Sequence, residues 1–395
     1  MKPKIRFKGF EGEWKTSAIG DFTTSFSGGT PTAGASEFYG GNIPFIRSGE
    51  IHESKTELFL TDAGLNNSSA KVVEKGTLLY ALYGATSGEV GISKIKGAIN
   101  QAILAIYPNK TVDKRFLANY LQSHKQKIVG ELLQGGQGNL SGALVKSISV
   151  NYPNNREQQA ISDYVDSLDS QISASTSRLA SLKQMKAASL QAMFPQEGET
   201  VPKIRFKGFE GEWKKVKFSE LYERSSIKND LSFGTDKIIS VANMYFIKNS
   251  RQVDDDYLRS YNIMRLGDIA FEGNKSKNFA HGRLVENTIG DGIVSHVFIV
   301  MKPISKNYDL NFWKYYINNE NIMGNILVRS TKSSTMMTDL VVDVFLKESI
   351  LVPSYEEQIE IGKILTSLDR QISLQSQRLE KLKQIKSACL DKMFV

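Results

Sequence analysis

The clearest pattern of apolar positions in the chain is a stripe between Glu157 and Phe194. Apolar residues recur there at steps of four, three and four and then seven and three, which is the spacing of a heptad seam on one face of a helix. The stripe returns 200 residues later between Glu357 and Phe394, and 19 of the 38 aligned positions are identical. The pattern predicts two helices of about 58 Å, at ~1.5 Å per residue. Their matched seam positions are Ile161, Val165, Leu168, Ile172, Leu179 and Leu182 in the first copy, and Ile361, Leu365, Leu368, Ile372, Leu379 and Leu382 in the second.

A second repeat lies near the start of the chain. Pro3–Lys15 reads PKIRFKGFEGEWK, and Pro202–Lys214 repeats the same thirteen residues without a change. We call each copy a PKIRF segment, after its first five residues. The alternation of basic and apolar residues predicts a short strand or extended arm that docks its apolar side. The basic side would face either phosphate or solvent.

The two repeats divide the chain into two copies of one unit. The predicted organisation is a first lobe with its PKIRF segment at 1–155, a first long helix at 156–194, a linker at 195–202, a second lobe with its PKIRF segment at 203–354, and a second long helix at 355–395. The helices either pair with each other or pack separately, each on its own lobe. Because the seams match position for position, we expect an antiparallel coiled coil and a pseudo-twofold internal repeat.

Strand and helix patterns alternate within each lobe, which favours an α+β fold. In the first lobe we predict strands at 43–46, Gly76–Tyr83, Ala98–Tyr107 and Ile148–Tyr152, and a helix over Lys114–Leu133. In the second lobe, 237–244 takes the place of 43–50, Asn311–Gly324 is helical, and the loop 329–335 takes the place of 135–142.

Composition narrows the class of protein only modestly. Hydrophobic residues make up 41% and charged residues 23% of the chain, as in ordinary globular domains. No apolar run of about 18 residues exists, so we expect no membrane span. The single cysteine, Cys389, excludes a disulfide framework and suits a reducing cytoplasm. The net charge of +8 is consistent with an anionic partner.

Motifs for catalysis and for metal binding are missing. The sequence contains no G-x-x-x-x-G-K-S/T phosphate loop, no strand-to-helix G-x-G-x-x-G fingerprint and no N-P-P-F/Y motif. The four histidines are far apart in sequence, and Asp254–Asp256 is better explained as an exposed turn than as a cation site. We therefore predict no catalytic residue and no metal ligand in this chain.

The lobes do contain polar loops, carried between strands, whose side chains could bind DNA. Arginine, asparagine and glutamine side chains recognise base edges, and lysine and hydroxyl groups bind phosphate. Such loops could equally be soluble turns. However, they differ between the lobes while the flanking strands correspond, and those of the second lobe are strongly basic. We predict these DNA-binding residues: Thr30, Arg47, Ser48, Tyr83, Thr86, Ser87, Gln137, Asn139, Asn243, Lys275, Lys277, Asn278, Arg283, Arg329, Thr331 and Lys332.

The whole chain resembles the DNA-specificity subunits of type I restriction–modification enzymes. The resemblance rests on GGTP at 28–31, IPFIRSGEI at 43–51, GTLLYALYGATSGEVGI at 76–92, NQAILAI at 100–106, and EQQAI and SLDSQI at 157–161 and 167–172. It implies that each lobe reads one half of a split site in double-stranded DNA and that the paired helices set the gap. The second lobe departs from the pattern, since nothing in it matches the GATSGEVG loop.

The resemblance also implies partners. Two modification subunits would dock on the helices, bring S-adenosylmethionine and methylate adenine, and two restriction subunits would bring ATP-driven cleavage with its magnesium. The chain itself would bind no cofactor and act in the cytoplasm. The alternatives are a coiled-coil adaptor that assembles proteins without reading DNA, and an enzyme whose site the sequence does not reveal.

Overall fold

The computed structural model describes residues 2–133, 139–248, 254–333 and 337–395. The chain forms two compact units. The first contains Met1–Thr176 together with Gln377–Val395, and the second contains Ser177–Ser376. Each long helix therefore begins in one unit and ends in the other. The chain has an α+β fold.

The first unit carries these elements in chain order: β1 (Lys15–Ala18), α1 (Ile19–Phe22), β2 (Thr23–Ser27), β3 (Tyr39–Ile46), β4 (Leu58–Leu60), α2 (Asp62–Asn66), β5 (Lys71–Val73), β6 (Leu78–Ala81), β7 (Val90–Ile92), β8 (Gly97–Ile99), β9 (Ile103–Pro108), α3 (Lys114–Ser123), α4 (Lys125–Leu133), α5 (Gly142–Ser147), β10 (Ser149–Tyr152) and the start of α6 (Asn155–Ala192). Two sheets have the strand orders β2-β9-β6-β7 and β4-β3-β8-β5, and β1 pairs with β10. The main core lies between the first sheet and α3, where Leu78, Tyr80 and Phe116 are buried.

The second unit repeats much of this order: β11 (Lys214–Lys217), α7 (Phe218–Leu221), β12 (Tyr222–Ser225), β13 (Ile239–Ser240), β14 (Tyr245–Phe246), α8 (Asp255–Arg259), β15 (Asn262–Met264), β16 (Ile269–Glu272), β17 (Arg283–Glu286), β18 (Gly292–Val294), β19 (Ile299–Pro303), α9 (Leu310–Tyr316), α10 (Glu320–Ser330), β20 (Thr331–Ser333), β21 (Thr338–Leu340), α11 (Val342–Phe345), β22 (Ser349–Val352) and the start of α12 (Tyr355–Met393). Its four-stranded sheet has the order β12-β19-β16-β17, the counterpart of the first sheet, and β11 pairs with β22 as β1 does with β10. The core is more aromatic, with Phe312, Trp313 and Tyr316 buried beneath it.

The two long helices are antiparallel, as the seam predicts. In the first unit, the start of α6 meets the end of α12: Lys386 Nζ lies 2.5 Å from Asp169 Oδ1, and Ile161 shares a core with Met393. In the second unit, Lys186 Nζ lies 2.5 Å from Asp369 Oδ1. The twelve seam side chains are buried or half-buried, as a coiled-coil seam requires. The alternative of two separate helices is wrong, since the last turns of each helix belong to the core of the other unit.

Each PKIRF segment packs against the end of a long helix. The Ile5 amide donates to the Lys392 carbonyl at 3.0 Å, and the Ile204 amide donates to the Ala192 carbonyl at 2.9 Å. The first segment contains no strand before Lys15, so the strand alternative is wrong. The apolar side docks only in part, since Phe7 packs against the first core whereas Ile5 is 47% exposed. Arg6 of this segment turns inward to bind the buried Glu157 instead of facing phosphate.

Four of the predicted elements are interrupted. Ala98–Tyr107 is two strands in different sheets, separated by a turn at Asn100–Ala102. Lys114–Leu133 is two helices that meet at His124, and Asn311–Gly324 breaks where Asn319 caps a new helix. In 237–244 only Ile239–Ser240 is a strand, because the chain turns back at Met244, whose φ is +48°.

The predicted loop 329–335 is wrong in part. Its first two residues end the helix Glu320–Ser330, and Thr331–Ser333 is a strand. The remaining two residues lie outside the described part of the chain.

Candidate nucleic-acid interface

The turn Asn100–Ala102 is the point in the first unit on which several predicted site residues converge. The Asn100 amide donates to the Ile46 carbonyl at 3.2 Å, which brings the end of β3 and the following Arg47 to the turn. The Leu82 amide donates to the Ala102 carbonyl at 2.8 Å, which brings in the segment that carries Tyr83. The structure therefore places loops distant in sequence around one short turn.

The GGTP loop is pressed against the same turn because its glycines have no side chain. A Cβ on Gly28 would lie 1.9 Å from the Ile99 carbonyl oxygen, and one on Gly29 would lie 2.5 Å from the Ser69 backbone. Real Cβ atoms do not approach backbone that closely, so both positions require glycine. The close approach brings Thr30 to the turn, where its hydroxyl donates to Oε1 of Gln101.

Arg47 is held by two carboxylates of its own lobe. Its guanidinium donates to Glu50 at 3.0 Å through both Nε and Nη2, and to Glu57 at 2.6 Å. Burial acts to raise the pKa of Glu50, but the hydrogen bonds from Arg47 and from backbone amides outweigh it and lower that pKa to about 2. Arg47 therefore shapes the loop that contains Ser48, and its Nε and Nη2 donors are already engaged by acceptors within the lobe.

The loop with Thr86 and Ser87 is fixed from both sides. The Ser87 hydroxyl donates to the Leu82 carbonyl at 3.2 Å, and Glu89 accepts from Lys125 at 2.5 Å. The hydrogen bond from Lys125 is the main reason why the pKa of Glu89 is lowered. Asn139 joins this group because the next amide, that of Leu140, donates to the Leu82 carbonyl at 2.9 Å. Gln137 lies outside the described residues.

In the second unit, the basic loop 273–283 lies beside the hairpin β20–β21. The Thr338 amide donates to the Gly273 carbonyl at 2.8 Å, and Asn274 pairs with Met337 in an isolated bridge. These contacts bring together the segments that carry the predicted Lys275, Lys277 and Asn278 on one side and Thr331 and Lys332 on the other.

The two predicted arginines of this unit are engaged within it. Arg283 donates to Glu272 at 2.7 Å and to the Ala242 carbonyl at 2.7 Å, which fixes the turn that carries Asn243. Arg329 donates to Glu348 at 2.7 Å through Nη2. Both side chains therefore organise the lobe, whereas Lys277 and Lys332 are exposed on it.

Sequence reasoning missed Gln101, because it treated Ala98–Tyr107 as one strand. The signal was present, since a polar Asn-Gln pair interrupts an apolar run. His296 occupies the matching position in the second unit: each residue is the second after the strand that begins at Gly97 or Gly292, and both are exposed.

The family model described as the type I restriction modification DNA specificity domain matches residues 11–184 and again residues 210–384. The chain belongs to this family. Among relatives of this DNA-specificity family, the type I restriction enzyme MjaVIII specificity subunit of Methanocaldococcus jannaschii is 20% identical over 404 residues, which cover 96% of this chain and 91% of that one. The MjaIX specificity subunit of the same organism is 29% identical over 168 residues, 40% of this chain and 38% of that one. The EcoR124I/EcoR124II specificity subunit of Escherichia coli is 24% identical over 174 residues, 42% of this chain and 43% of that one.

A solved specificity-family structure shares the fold. The S subunit of the type I restriction–modification system from M. genitalium matches with a TM-score of 0.60 and 15% identity, covering 100% of this chain and 99% of that one. A chain from a study of complex assembly and conformational transition of the type I R-M system matches with a TM-score of 0.51 and 15% identity, with 97% of each chain covered.

Two further findings bear on the chemistry open to this specificity-family chain. Among the residues that the structure describes, no three or more His, Cys, Asp or Glu side chains are grouped so that they could hold a metal ion. In the same part of the chain, no helix is both long and apolar enough to cross a membrane.

Proposed function

We propose that this chain is the non-catalytic DNA-reading subunit of a type I restriction–modification complex, and that each lobe reads one half of a bipartite site in double-stranded DNA. The observation that carries the proposal is that the DNA-specificity family matches the chain twice, once on each lobe. The loops around Gln101 and around His296 differ in chemistry although they occupy matched positions, which favours two different half-sites. The adaptor alternative is not favoured, because the matched family is one of DNA specificity domains.

The two long helices are the proposed docking surface for two modification subunits. The partners would carry S-adenosylmethionine, and two restriction subunits would carry ATP and magnesium, all within the cytoplasm. Support comes from exposed positions of the helices, where Arg178 and Lys183 recur as Arg378 and Lys383, as expected of a chain that binds two copies of one partner.

The proposed reading of DNA is tested by mapping methylated adenines genome-wide in cells that express the full complex. The wild-type chain should give one bipartite sequence. A chimera in which residues 16–155 come from a related subunit should keep one half-site and change the other. The matched control exchanges residues 215–354 and should change only the opposite half. An adaptor would give no sequence preference, and a change in both halves would mean that the lobes do not read independently.

The helices are also the proposed ruler between the half-sites. Inserting one heptad in each helix keeps the seam in register and adds ~10 Å of helix at ~1.5 Å per residue. Duplex DNA rises ~3.4 Å per base pair, so the preferred gap should grow by roughly three base pairs. Selection from a library with randomised gaps measures it. Inserting two residues per helix is the control, since it turns the seam away from its partner. An unchanged gap after a heptad insertion that leaves the protein folded would refute the ruler.

A further inference from the structure

The side chain of Gln101 is held by the neighbouring GGTP loop although it lies on an exposed turn. Its Oε1 accepts the hydroxyl proton of Thr30. The nearby Tyr83 phenol feels the same amide, since burial raises the pKa of Tyr83 and the Gln101 side chain opposes that rise. The hydrogen bond from Thr30 is the contact that fixes the amide oxygen of Gln101 toward the GGTP loop.

The Gln101 amide keeps hydrogen-bond donors and acceptors that Thr30 does not use. A glutamine side chain has two acceptor lone pairs on Oε1 and two N–H donors on Nε2. Thr30 takes one acceptor site. A second acceptor site on Oε1 and the N–H donors of Nε2 remain, side by side on a planar group. This pair is the complement of the N6 amino group and N7 of adenine in the major groove, which a glutamine recognises with two hydrogen bonds.

The supports of this amide are rigid. Gly28 and Gly29 hold the Thr30 loop against β8 and Ser69, as described above, and Pro31 behind them is buried, with its carbonyl accepting from the Tyr39 hydroxyl at 3.0 Å. The turn of Gln101 is closed by the Ile103 amide, which donates to the Asn100 carbonyl at 3.1 Å. An exposed glutamine normally loses rotamer freedom when it binds a partner, and here that freedom is already restricted.

We propose that Gln101 is a specificity-determining residue that reads an adenine in the half-site of the first lobe, and that Thr30 is a positioning residue that orients its amide. The inference rests on the proposed reading of DNA by this chain and adds the residue and the base class.

The test is to map methylated and bound sequences with the complete complex, carrying the wild-type chain or one of three variants. Gln101→Ala should relax one adenine position of one half-site by roughly 5- to 150-fold in discrimination. Gln101→Glu keeps the oxygen acceptors and loses the N–H donors, so the same position should shift toward cytosine, whose N4 amino group donates. Thr30→Val removes the donor to Oε1 with little change of shape and should relax the same position less than Gln101→Ala.

His296→Ala, at the matching position of the second lobe, is the control and should leave the half-site read by Gln101 unchanged. Three outcomes would overturn the inference. The first is unchanged site preference in folded Gln101 variants of a complex whose wild type is sequence-specific. The second is uniform weakening on all sequences with no position relaxed, which marks a contact to the DNA backbone instead of a base. The third is a relaxed position that is not adenine. A wild-type complex with no sequence preference would instead refute the proposed function, and this inference with it.

Discussion

Arg6 binds both carboxylate oxygens of Glu157, with Nε–Oε1 and Nη2–Oε2 distances of 2.7 Å. The side chain of Glu157 is 1% exposed and that of Arg6 is 16% exposed. Arg205 and Glu357 repeat the arrangement in the second unit, again with distances of 2.7 Å. Two parallel charge-assisted hydrogen bonds tie each PKIRF segment to the first turn of a long helix. This geometry explains why arginine stands at that position in both copies of the segment.

Replacing Arg6 with Met should destabilise the first unit by about 3 kcal/mol, because it leaves the carboxylate of Glu157 buried without a partner. Arg6→Lys should recover only part of that loss, since an ammonium cannot form the two-point contact. Denaturant unfolding measures the change. Lys8→Gln, an exposed neighbour in the same PKIRF segment, is the control and should change stability by less than ~0.5 kcal/mol. Equal effects of the substitutions at Arg6 and Lys8 would contradict this account.

Two adjacent residues of α12, Ile364 and Leu365, face opposite ways and therefore test where the helix seam lies. Leu365 is fully buried in the core that contains Met193, whereas Ile364 is 40% exposed. Leu365→Ala should cost ~2–5 kcal/mol through lost contacts and the cavity that remains. Ile364→Ala removes a side chain of similar size and should cost well under half as much. Thermal unfolding of both variants decides it, and a larger effect at Ile364 would mean that the seam lies elsewhere.

Most of what could be predicted from the sequence came from its two repeated segments. Heptad periodicity is a long-range signal with many contributing residues, so the two helices and their antiparallel pairing followed from it. The breaks in the lobes were harder to predict, because their signals are only one or two residues long, such as the Asn-Gln pair at 100–101 and the capping Asn319. Gln101 interrupts an apolar run only because the chain there crosses from one sheet to another. Arg47 and Arg283 are arginines in polar loops, and only the fold reveals that Glu50 and Glu272 bind them.

The lysines in the basic loops of the second lobe test phosphate contact better than its arginines do. Lys277→Gln and Lys332→Gln should each weaken binding to all duplexes and flatten the salt slope by about 1 unit, as expected when a phosphate contact is lost. Arg329→Gln is a poorer probe, since it also breaks the partly exposed ion pair with Glu348, which is worth about 0–1 kcal/mol. Binding to random duplexes at several salt concentrations measures the slopes. Unaltered slopes in both lysine variants would show that these loops do not contact phosphate.

Glu286 is a buried carboxyl where the first unit has an apolar residue. It pairs with Ile269 at the start of β16, and the matching pair in the first unit is Leu78 with Ile92. The Tyr308 hydroxyl donates to its Oε1, and Tyr222 in turn hydrogen-bonds Tyr308 at 3.1 Å. Burial raises the pKa of Glu286 to about 9 against the opposing hydrogen bond from Tyr308, with the nearby Asp309 adding to the rise and Lys314 opposing it. At neutral pH this carboxyl is therefore protonated in the folded protein.

The stability of the second unit should consequently fall as pH rises above neutrality. An unfolded chain ionises this glutamate near pH 4.5, and the folded chain does so only near pH 9, so the folded state holds one more proton between those values. The contribution is complete below pH 4.5 and is lost toward pH 9, with a slope of up to about 1.4 kcal/mol per pH unit. Asp268, whose pKa burial raises to about 6, acts in the same direction at lower pH, so the measurement belongs between about pH 6.5 and 8.5.

Trp213 and Trp313 both lie in the second unit, and a Trp14→Phe background makes fluorescence unfolding report on that unit alone. In that background, Glu286→Gln keeps an acceptor for Tyr308 and removes the titration, so its unfolding free energy should lose most of the pH dependence. If both proteins show the same slope, Glu286 is ionised in the folded state and its burial does not control the pH response.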